Sequence, residues 1–177
     1  RKLRKKYEEN ENVILIQKAL GAEEGKGVLY LSGSSTISSM SKNWIEKVKN
    51  SGRFGSSLWE GKQTVKIVTL DSLINKYGTP KFCKIDVENF EYEVLCGLTQ
   101  AISCLSFEFH EEYLNNTKRC LNRLVELGFS RFNFAIGENS ELALNEWVSS
   151  QDILRLLKSG DFKAEGGLLW GDIYASI

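Results

Sequence analysis

One short stretch indicates the fold class: Lys84-Ile-Asp-Val-Glu-Asn-Phe-Glu-Tyr-Glu-Val-Leu95. Residues 82–86 have the continuous apolar character of a strand buried in a parallel sheet. Residues 91–101 carry apolar side chains at helical spacing, which predicts an amphipathic helix. A strand, a short turn and a helix in this order form one crossover unit of an α/β domain.

The same alternation of strands and helices is predicted over most of the chain. Expected strands cover residues 13–17, 27–32, 65–69, 82–86, 104–109, 131–136 and 172–176, with a further candidate at 142–147, and expected helices cover 1–10, 42–50, 71–77, 91–101, 115–127 and 150–158. This order predicts a mostly parallel sheet with helices on both faces and an antiparallel edge. We expect one domain over residues 1–177, with an irregular insertion at about 33–62.

Composition narrows the classes of partner. The 23 basic and 23 acidic side chains cancel, which argues against nucleic acid or an anionic membrane as a partner. The four cysteines form no CxxC pair and the chain has one histidine, so no metal site is predicted. Free thiols favour a reduced, cytoplasmic setting, and no apolar stretch approaches the length of a membrane span.

Ligands of open α/β sheets bind beyond the carboxyl ends of the strands. Asp86, Glu88 and Glu91 crowd one such end within six residues, and their mutual repulsion suggests a compensating ligand. Asp86 is the first candidate for a catalytic role, and Glu88 and Glu91 for substrate binding. The alternative is that Glu88 and Glu91 only cap and solubilise a helix start.

The second such end is Ser106-Phe-Glu-Phe-His110. Glu108 and His110 lie on the same side of the extended segment, and His110 is suited to act as a general base on a hydroxyl. A lone histidine is also often structural. Long irregular segments are often binding loops, so Ser35 and Trp44 are candidates for covering a substrate, although a plain surface loop explains them equally well.

Three segments together resemble the FkbM-like family of S-adenosylmethionine-dependent methyltransferases. They are Val68-Thr-Leu-Asp-Ser-Leu-Ile74, Lys84-Ile-Asp-Val-Glu-Asn-Phe-Glu-Tyr-Glu-Val-Leu95 and Leu105-Ser-Phe-Glu-Phe-His110, with Ala19-Leu-Gly-Ala-Glu-Glu-Gly25 as weaker support. The resemblance implies a Rossmann-like class I methyltransferase fold of strand order 3-2-1-4-5-7-6, whose last strand is antiparallel. It also implies S-adenosylmethionine as cofactor and methyl transfer to a hydroxyl of a sugar, glycan or secondary metabolite.

The resemblance assigns roles to individual residues. Asp86 would stand at the end of the fourth strand, facing the methyl group and the acceptor. For such a methyl transfer, Asp86, Glu108 and His110 are together the candidates to orient the acceptor hydroxyl and take its proton. Ala19, Leu20 and Gly21 would lie beside the adenine of the cofactor.

Two departures from the family pattern stand out. Asn89 replaces the usual glycine, and asparagine tolerates the positive φ of such a turn. No GxG motif precedes residue 13, and no acidic residue for the ribose follows a second strand. We therefore expect a C-terminal part of a longer enzyme that lacks the first two strands of the sheet. On its own it is expected to bind the cofactor negligibly and to be inactive.

Two other functions remain open from the residues alone. One is a magnesium-dependent hydrolase or transferase that uses Asp86, Glu88 and Glu91, although no phosphate-binding glycine loop accompanies them. The other is a non-catalytic carbohydrate-binding or assembly module that has kept the fold. The sequence leaves the oligomeric state undetermined.

Overall fold

The computed structural model describes residues 2–34, 37–51, 57–100, 102–139, 141–164 and 167–177. These residues form two sheets flanked by helices. The smaller sheet contains β1 (Ala19–Leu20), β2 (Gly25–Leu31) and β3 (Gly61–Val68) in the order β1-β3-β2. β2 runs antiparallel to β3 along its whole length, and β1 adds two parallel residues on the other side.

The larger sheet positions the acidic turn. Its strands are β4 (Cys83–Ile85), β5 (Cys104–His110), β6 (Arg131–Ile136) and β7 (Trp170–Ser176), in the order β4-β5-β7-β6. β4 and β5 are parallel, whereas β7 is antiparallel to both of its neighbours. The carboxyl ends of β4 and β5 therefore lie side by side.

The described helices lie in the expected segments, but the helix expected over residues 1–10 ends at Tyr7 and the one expected over 91–101 ends at Cys96. They are α1 (Lys2–Tyr7), α2 (Lys42–Ser51), α3 (Leu70–Tyr77), α4 (Glu91–Cys96), α5 (Leu114–Glu126) and α6 (Ser150–Ser159), with one 3-10 turn at Glu111–Tyr113. Thr69 caps α3 by accepting a hydrogen bond from the Ser72 backbone N–H at 3.0 Å. Ser149 caps α6 in the same way through the Asp152 N–H.

The main core fills the space between the larger sheet and its helices. Fully buried side chains of β5, β6 and β7 meet those of α4, α5 and α6 there, including Phe107, Val94 and Leu121. Burying such side chains contributes about 1.5–3 kcal/mol each, so this cluster is the dominant stabilising feature.

A second, smaller core underlies α2. It consists of Ile37, Trp44, Ile45, Val48 and Trp59, with Tyr30 and Tyr113 packed against it. The two tryptophan rings meet edge to face at 5.9 Å, and the Trp59 indole donates a hydrogen bond to the Ile37 carbonyl at 2.8 Å. The predicted insertion at 33–62 therefore carries packed structure in its described part.

The structure confirms an α/β chain, and β7 confirms the antiparallel last strand. The expectation of a mostly parallel sheet is wrong for the described residues, because three of their five strand pairings are antiparallel. The sequence pattern did not reveal that β2 and β3 pair antiparallel, because an apolar run carries no information about the direction of its partner strand.

Two expected strands are not formed. Residues 13–17 belong to no strand, since among the described residues no strand pairs with this run, and Ile14 is 63% exposed. Residues 142–147 form no strand either. Instead Ala143 donates one hydrogen bond to the Phe134 carbonyl at 2.7 Å, and Val148 makes an isolated bridge to Phe132.

The division into one domain stays a prediction. Within the described ranges, every helix is too short or too polar to cross a bilayer.

Candidate functional site

The candidate site lies where β4 and β5 end. The register of this parallel pair places Ile85 opposite Phe107, so the residues that follow β4 face the last residues of β5. Asp86 and Glu88 come from the first strand end, and Glu108 and His110 from the second. The structure thus brings together four of the predicted residues.

Asp86 is the accessible carboxylate of this group. Its side chain is 49% exposed, and its Oδ2 lies 3.7 Å from the Lys84 Nζ. Burial and the nearby negative charge of Glu108 raise the pKa of Asp86 above its usual value, against the effect of Lys84. Lys84 contacts Asp172 more closely, at 2.6 and 2.8 Å, so its charge is paired mainly with that carboxylate.

The turn between β4 and α4 adopts an unusual backbone. Glu88 and Asn89 have φ values of 53° and 64°, both in the left-handed region. The Ser39 hydroxyl donates a hydrogen bond to the Glu88 carbonyl at 2.7 Å and so ties the turn to the segment before α2. The prediction that Asn89 accepts a positive φ is confirmed.

Glu91 holds this turn from inside. Its residue surface is only 2% exposed, and its Oε1 accepts the backbone N–H groups of Asn89 at 3.0 Å and Val87 at 3.4 Å. Burial raises the pKa of Glu91 to about 8, despite these hydrogen bonds. Glu91 therefore stabilises the turn, and this use of its carboxyl disfavours the magnesium set of Asp86, Glu88 and Glu91. Its role towards a substrate stays a prediction.

Glu108 and His110 form a mostly buried pair. Their side chains are 16% and 8% exposed, and the His110 Nε2 lies 3.3 Å from the Glu108 Oε2. The imidazole also stacks on Trp170, with ring centres 6.5 Å apart. Glu108 is therefore the member of the pair that a bound molecule reaches first.

A cavity of about 270 Å³ connects Asp86 with the smaller sheet. The lining residues are Lys18, Ala19, Leu20, Leu29, Ser38, Met40, Asp86, Val87 and Phe90. Two of the predicted cofactor-binding residues, Ala19 and Leu20, thus share one cavity with the predicted catalytic Asp86.

Gly21, the third predicted cofactor residue, is buried behind this cavity. Its backbone N–H donates a hydrogen bond to the Val68 carbonyl at 3.1 Å. The Gly21 carbonyl oxygen lies close to Gly97, and a Cβ added at Gly97 would be only 2.2 Å from that oxygen. The structure therefore places Gly21 at a tight crossing of two loops, and its contact with a cofactor stays a prediction.

Of the two residues predicted to cover a substrate, the structure describes Trp44 but not Ser35. Trp44 is 1% exposed and belongs to the second core, so its role towards a substrate stays a prediction. Ser35 lies outside the described residues. Its neighbours Ser38 and Ser39 instead line the cavity or hold the turn.

Sequence reasoning missed two contributions to the site. Met40 and Phe90 line the cavity, and nothing in their local sequence distinguishes them from ordinary apolar residues.

Glu88, Glu108 and His110 each offer a ligand atom, and these atoms all lie within 4.8 Å of one another. The pairing of β4 with β5 explains why Glu88 lies near His110. Ile85 and Phe107 are register partners, and Glu88 and His110 follow them by three residues each.

These features define an α/β protein with an acidic site at the carboxyl end of its parallel strands. A family sequence model described as "Methyltransferase FkbM domain" matches residues 2–164, almost the whole chain. The chain therefore belongs to the FkbM methyltransferase family, which confirms the resemblance seen in the sequence. Searches of curated proteins and of solved structures found no match.

Proposed function

We propose that this protein is an S-adenosylmethionine-dependent O-methyltransferase that acts on a hydroxyl of a sugar, glycan or secondary metabolite. The observation that carries the proposal is the cavity joining Ala19 and Leu20 to Asp86, because it connects the expected cofactor side with the expected acceptor side. The strand order β4-β5-β7-β6, with β7 antiparallel, supports a Rossmann-like class I sheet.

The lining of the cavity fits part of the cofactor. Leu20, Val87 and Phe90 supply the apolar walls that an adenine ring and a methyl-bearing sulfonium need. Lys18 and Ser38 add polar groups at the same cavity. When bound there, S-adenosylmethionine would supply an electrophilic methyl group.

Asp86 is the residue proposed to accept the proton of the acceptor hydroxyl. Its half-exposed carboxylate lines the cavity, and its raised pKa makes it a stronger base than an ordinary aspartate. The base must be ionised to act. The rate should therefore fall as the pH drops through the pKa of Asp86, at a higher pH than for an aspartate in water.

Glu108 and His110 are proposed to orient the acceptor. Glu108 is the more exposed of the two and would accept a hydrogen bond from a substrate hydroxyl. The His110 Nε2 lies 3.3 Å from the Glu108 Oε2, so a bound acceptor hydroxyl could contact both side chains. Glu88 and Trp44 remain candidates for contacting the rest of the acceptor, as does Ser35.

The test couples cofactor binding with methyl transfer. Backbone NMR spectra recorded with millimolar S-adenosylhomocysteine should show shifts at Ala19, Leu20 and Phe90. Under the same conditions, tritiated S-adenosylmethionine and a panel of glycans and hydroxylated metabolites should yield a labelled methyl ether. The chain on its own is expected to be nearly inactive, so protein in excess over the acceptor is used to make a small yield of product detectable.

The variant Asp86→Asn should lower methyl transfer by about 10²-fold or more while leaving the NMR shifts in place. Asp161→Asn, an exposed aspartate away from the cavity, is the matched control and should retain transfer. A saturated cavity without any labelled product would exclude methyl transfer and favour a binding module. A label on nitrogen or sulfur would exclude the hydroxyl acceptor.

A further inference from the structure

We propose that Glu88, Glu108 and His110 form a binding site for a divalent first-row transition-metal ion such as Zn²⁺ or Mn²⁺. The proposal does not depend on methyl transfer, because it concerns binding to the chain itself. The three side chains come from the neighbouring ends of β4 and β5.

The geometry of the three side chains suits one ion. Each offers one ligand atom, and all three atoms lie within 4.8 Å of one another. Atoms bound to a common ion at roughly 2.0–2.2 Å stand about 3–4 Å apart. The distance of 3.3 Å between the His110 Nε2 and the Glu108 Oε2 already falls in that range. Only small side-chain movements are therefore needed to complete the site.

The backbone fixes where these groups stand. Glu108 and His110 are two residues apart on β5, so their side chains leave the same face of the sheet. Glu88 sits in the turn after β4, and the Ser39 hydroxyl holds its carbonyl at 2.7 Å. The convergence of the three groups thus follows from strand register and a hydrogen-bonded turn, which are features of the fold.

An independent observation points to a ligand at this place. His110 is 93% buried, since 7% of its surface is exposed, yet neither ring nitrogen has a hydrogen-bond partner in the described part of the chain. The Glu108 Oε2 is likewise buried without one. Buried polar atoms in native proteins are almost always partnered, because leaving them unpartnered is costly. A cation between them would satisfy an imidazole nitrogen and the carboxylate at once.

The donor set selects the class of ion. Imidazole nitrogen favours transition metals such as Zn²⁺ and Fe²⁺, and the two carboxylates also suit Mn²⁺, whereas Mg²⁺ and Ca²⁺ prefer sites built only from oxygen. Three protein ligands also leave positions open for water or for a hydroxyl of a substrate. Binding should therefore be tighter for Zn²⁺ and Mn²⁺ than for Mg²⁺.

The experiment uses the fact that His110 is the only histidine of the chain. In ¹⁵N-labelled protein prepared without a histidine tag, long-range ¹H–¹⁵N spectra report both nitrogens of this one ring. Added Zn²⁺ should move one nitrogen to the metal-bound range and leave the other as a protonated pyrrole-type nitrogen. Mn²⁺ should broaden the ring signals and the backbone signals of Glu88 and Glu108, whereas equal Mg²⁺ should not.

Isothermal titration with Zn²⁺ then tests the carboxylates. Glu108→Gln and Glu88→Gln should each weaken binding by at least about tenfold, because loss of even an outer-shell partner costs that much. Glu93→Gln, an equivalent change on α4 outside the group, should leave binding unchanged. Circular dichroism verifies that each variant is folded.

Two results would overturn the proposal. One is a ring that keeps its metal-free signals at millimolar Zn²⁺ and Mn²⁺. The other is Zn²⁺ binding that Glu108→Gln and Glu93→Gln retain equally, since the ion would then be bound elsewhere. Neither result bears on methyl transfer, because no cofactor or acceptor is present.

Discussion

Glu91 shows how one buried carboxyl group can shape a functional turn. It holds the backbone of residues 87–89 with hydrogen bonds that require an acceptor oxygen, and the Asn116 amide also lies within 3.5 Å of its Oε2. Since burial raises its pKa to about 8, the folded protein keeps Glu91 protonated at neutral pH. A neutral carboxyl still offers the carbonyl oxygen that the turn needs.

This pKa predicts how stability depends on pH. An unfolded chain ionises Glu91 near 4.5, whereas the folded protein retains the proton until about pH 8. Between these values the folded state binds more protons, so the free energy of unfolding should fall by up to about 1.4 kcal/mol per pH unit as the pH rises. Urea denaturation at pH 5, 7 and 9 measures the effect.

Glu91→Gln should remove this contribution. The variant keeps an acceptor oxygen for the Asn89 N–H, so it should match the wild type near pH 5 and exceed its stability at pH 9. Glu93→Gln, on the same helix but more exposed, should retain the pH dependence of the wild type. Equal pH profiles for the wild type and Glu91→Gln would contradict the assignment.

At the level of helices and strands, a close contact between Gly21, after β1, and Gly97, at the end of α4, holds the site against its helices. Gly97 ends α4 and packs against the Gly21 carbonyl, while its own carbonyl accepts the Asp71 N–H at the start of α3. The Asp71 carboxylate in turn accepts hydrogen bonds from the Thr99 N–H and hydroxyl. The segment after β1 is thereby held against both helices.

Gly97→Ala should therefore destabilise the fold. The added Cβ would lie 2.2 Å from a backbone oxygen and 3.2 Å from the Thr69 Cβ, and a backbone atom cannot move aside cheaply. We expect a loss of about 1–3 kcal/mol in urea denaturation, as for other overpacked sites. The φ of Gly97 is −82°, so the loss would reflect lack of space and not backbone strain.

Gly33→Ala is the matched control for Gly97→Ala. A Cβ at Gly33 meets no heavy atom within 4 Å, so the stability should change little. Should both variants prove equally stable, the crossing of Gly21 and Gly97 would not be as tight as described.

At the scale of the molecule, the two sheets create a cavity that is small for a whole cofactor. Its 270 Å³ falls below the roughly 300–1,000 Å³ of most ligand sites. The lining supplies apolar walls, while Lys18, Ser38 and Asp86 are its polar side chains among the described residues. Many polar groups of S-adenosylmethionine would thus remain in water.

The expected affinity for S-adenosylmethionine follows from this shape. Few partners for the ribose and the amino acid part should limit the dissociation constant of this chain to about the millimolar range, equivalent to roughly −4 kcal/mol. Isothermal titration measures it directly, with S-adenosylhomocysteine as a second ligand that shares the adenosine part. Micromolar affinity would contradict the prediction.

The sequence was most informative where a signal is local. Asn89 predicts a positive φ, and the apolar runs at β4 and β5 predict strands, because turn geometry and strand patterning depend on neighbouring residues. The prediction of a strand at residues 13–17 was wrong, because an apolar stretch becomes a strand only when another strand pairs with it by hydrogen bonds.

By itself, the sequence determined the α/β class, the family and the position of Asp86, Glu108 and His110 at strand ends. Which of these groups come into contact depends on the tertiary structure. The parallel register of β4 and β5 brings Glu88 to His110, and burial turns Glu91 inward to hold the turn. The physical reason is that hydrogen-bond register and desolvation act between residues distant in the chain, where local sequence patterns carry no record of them.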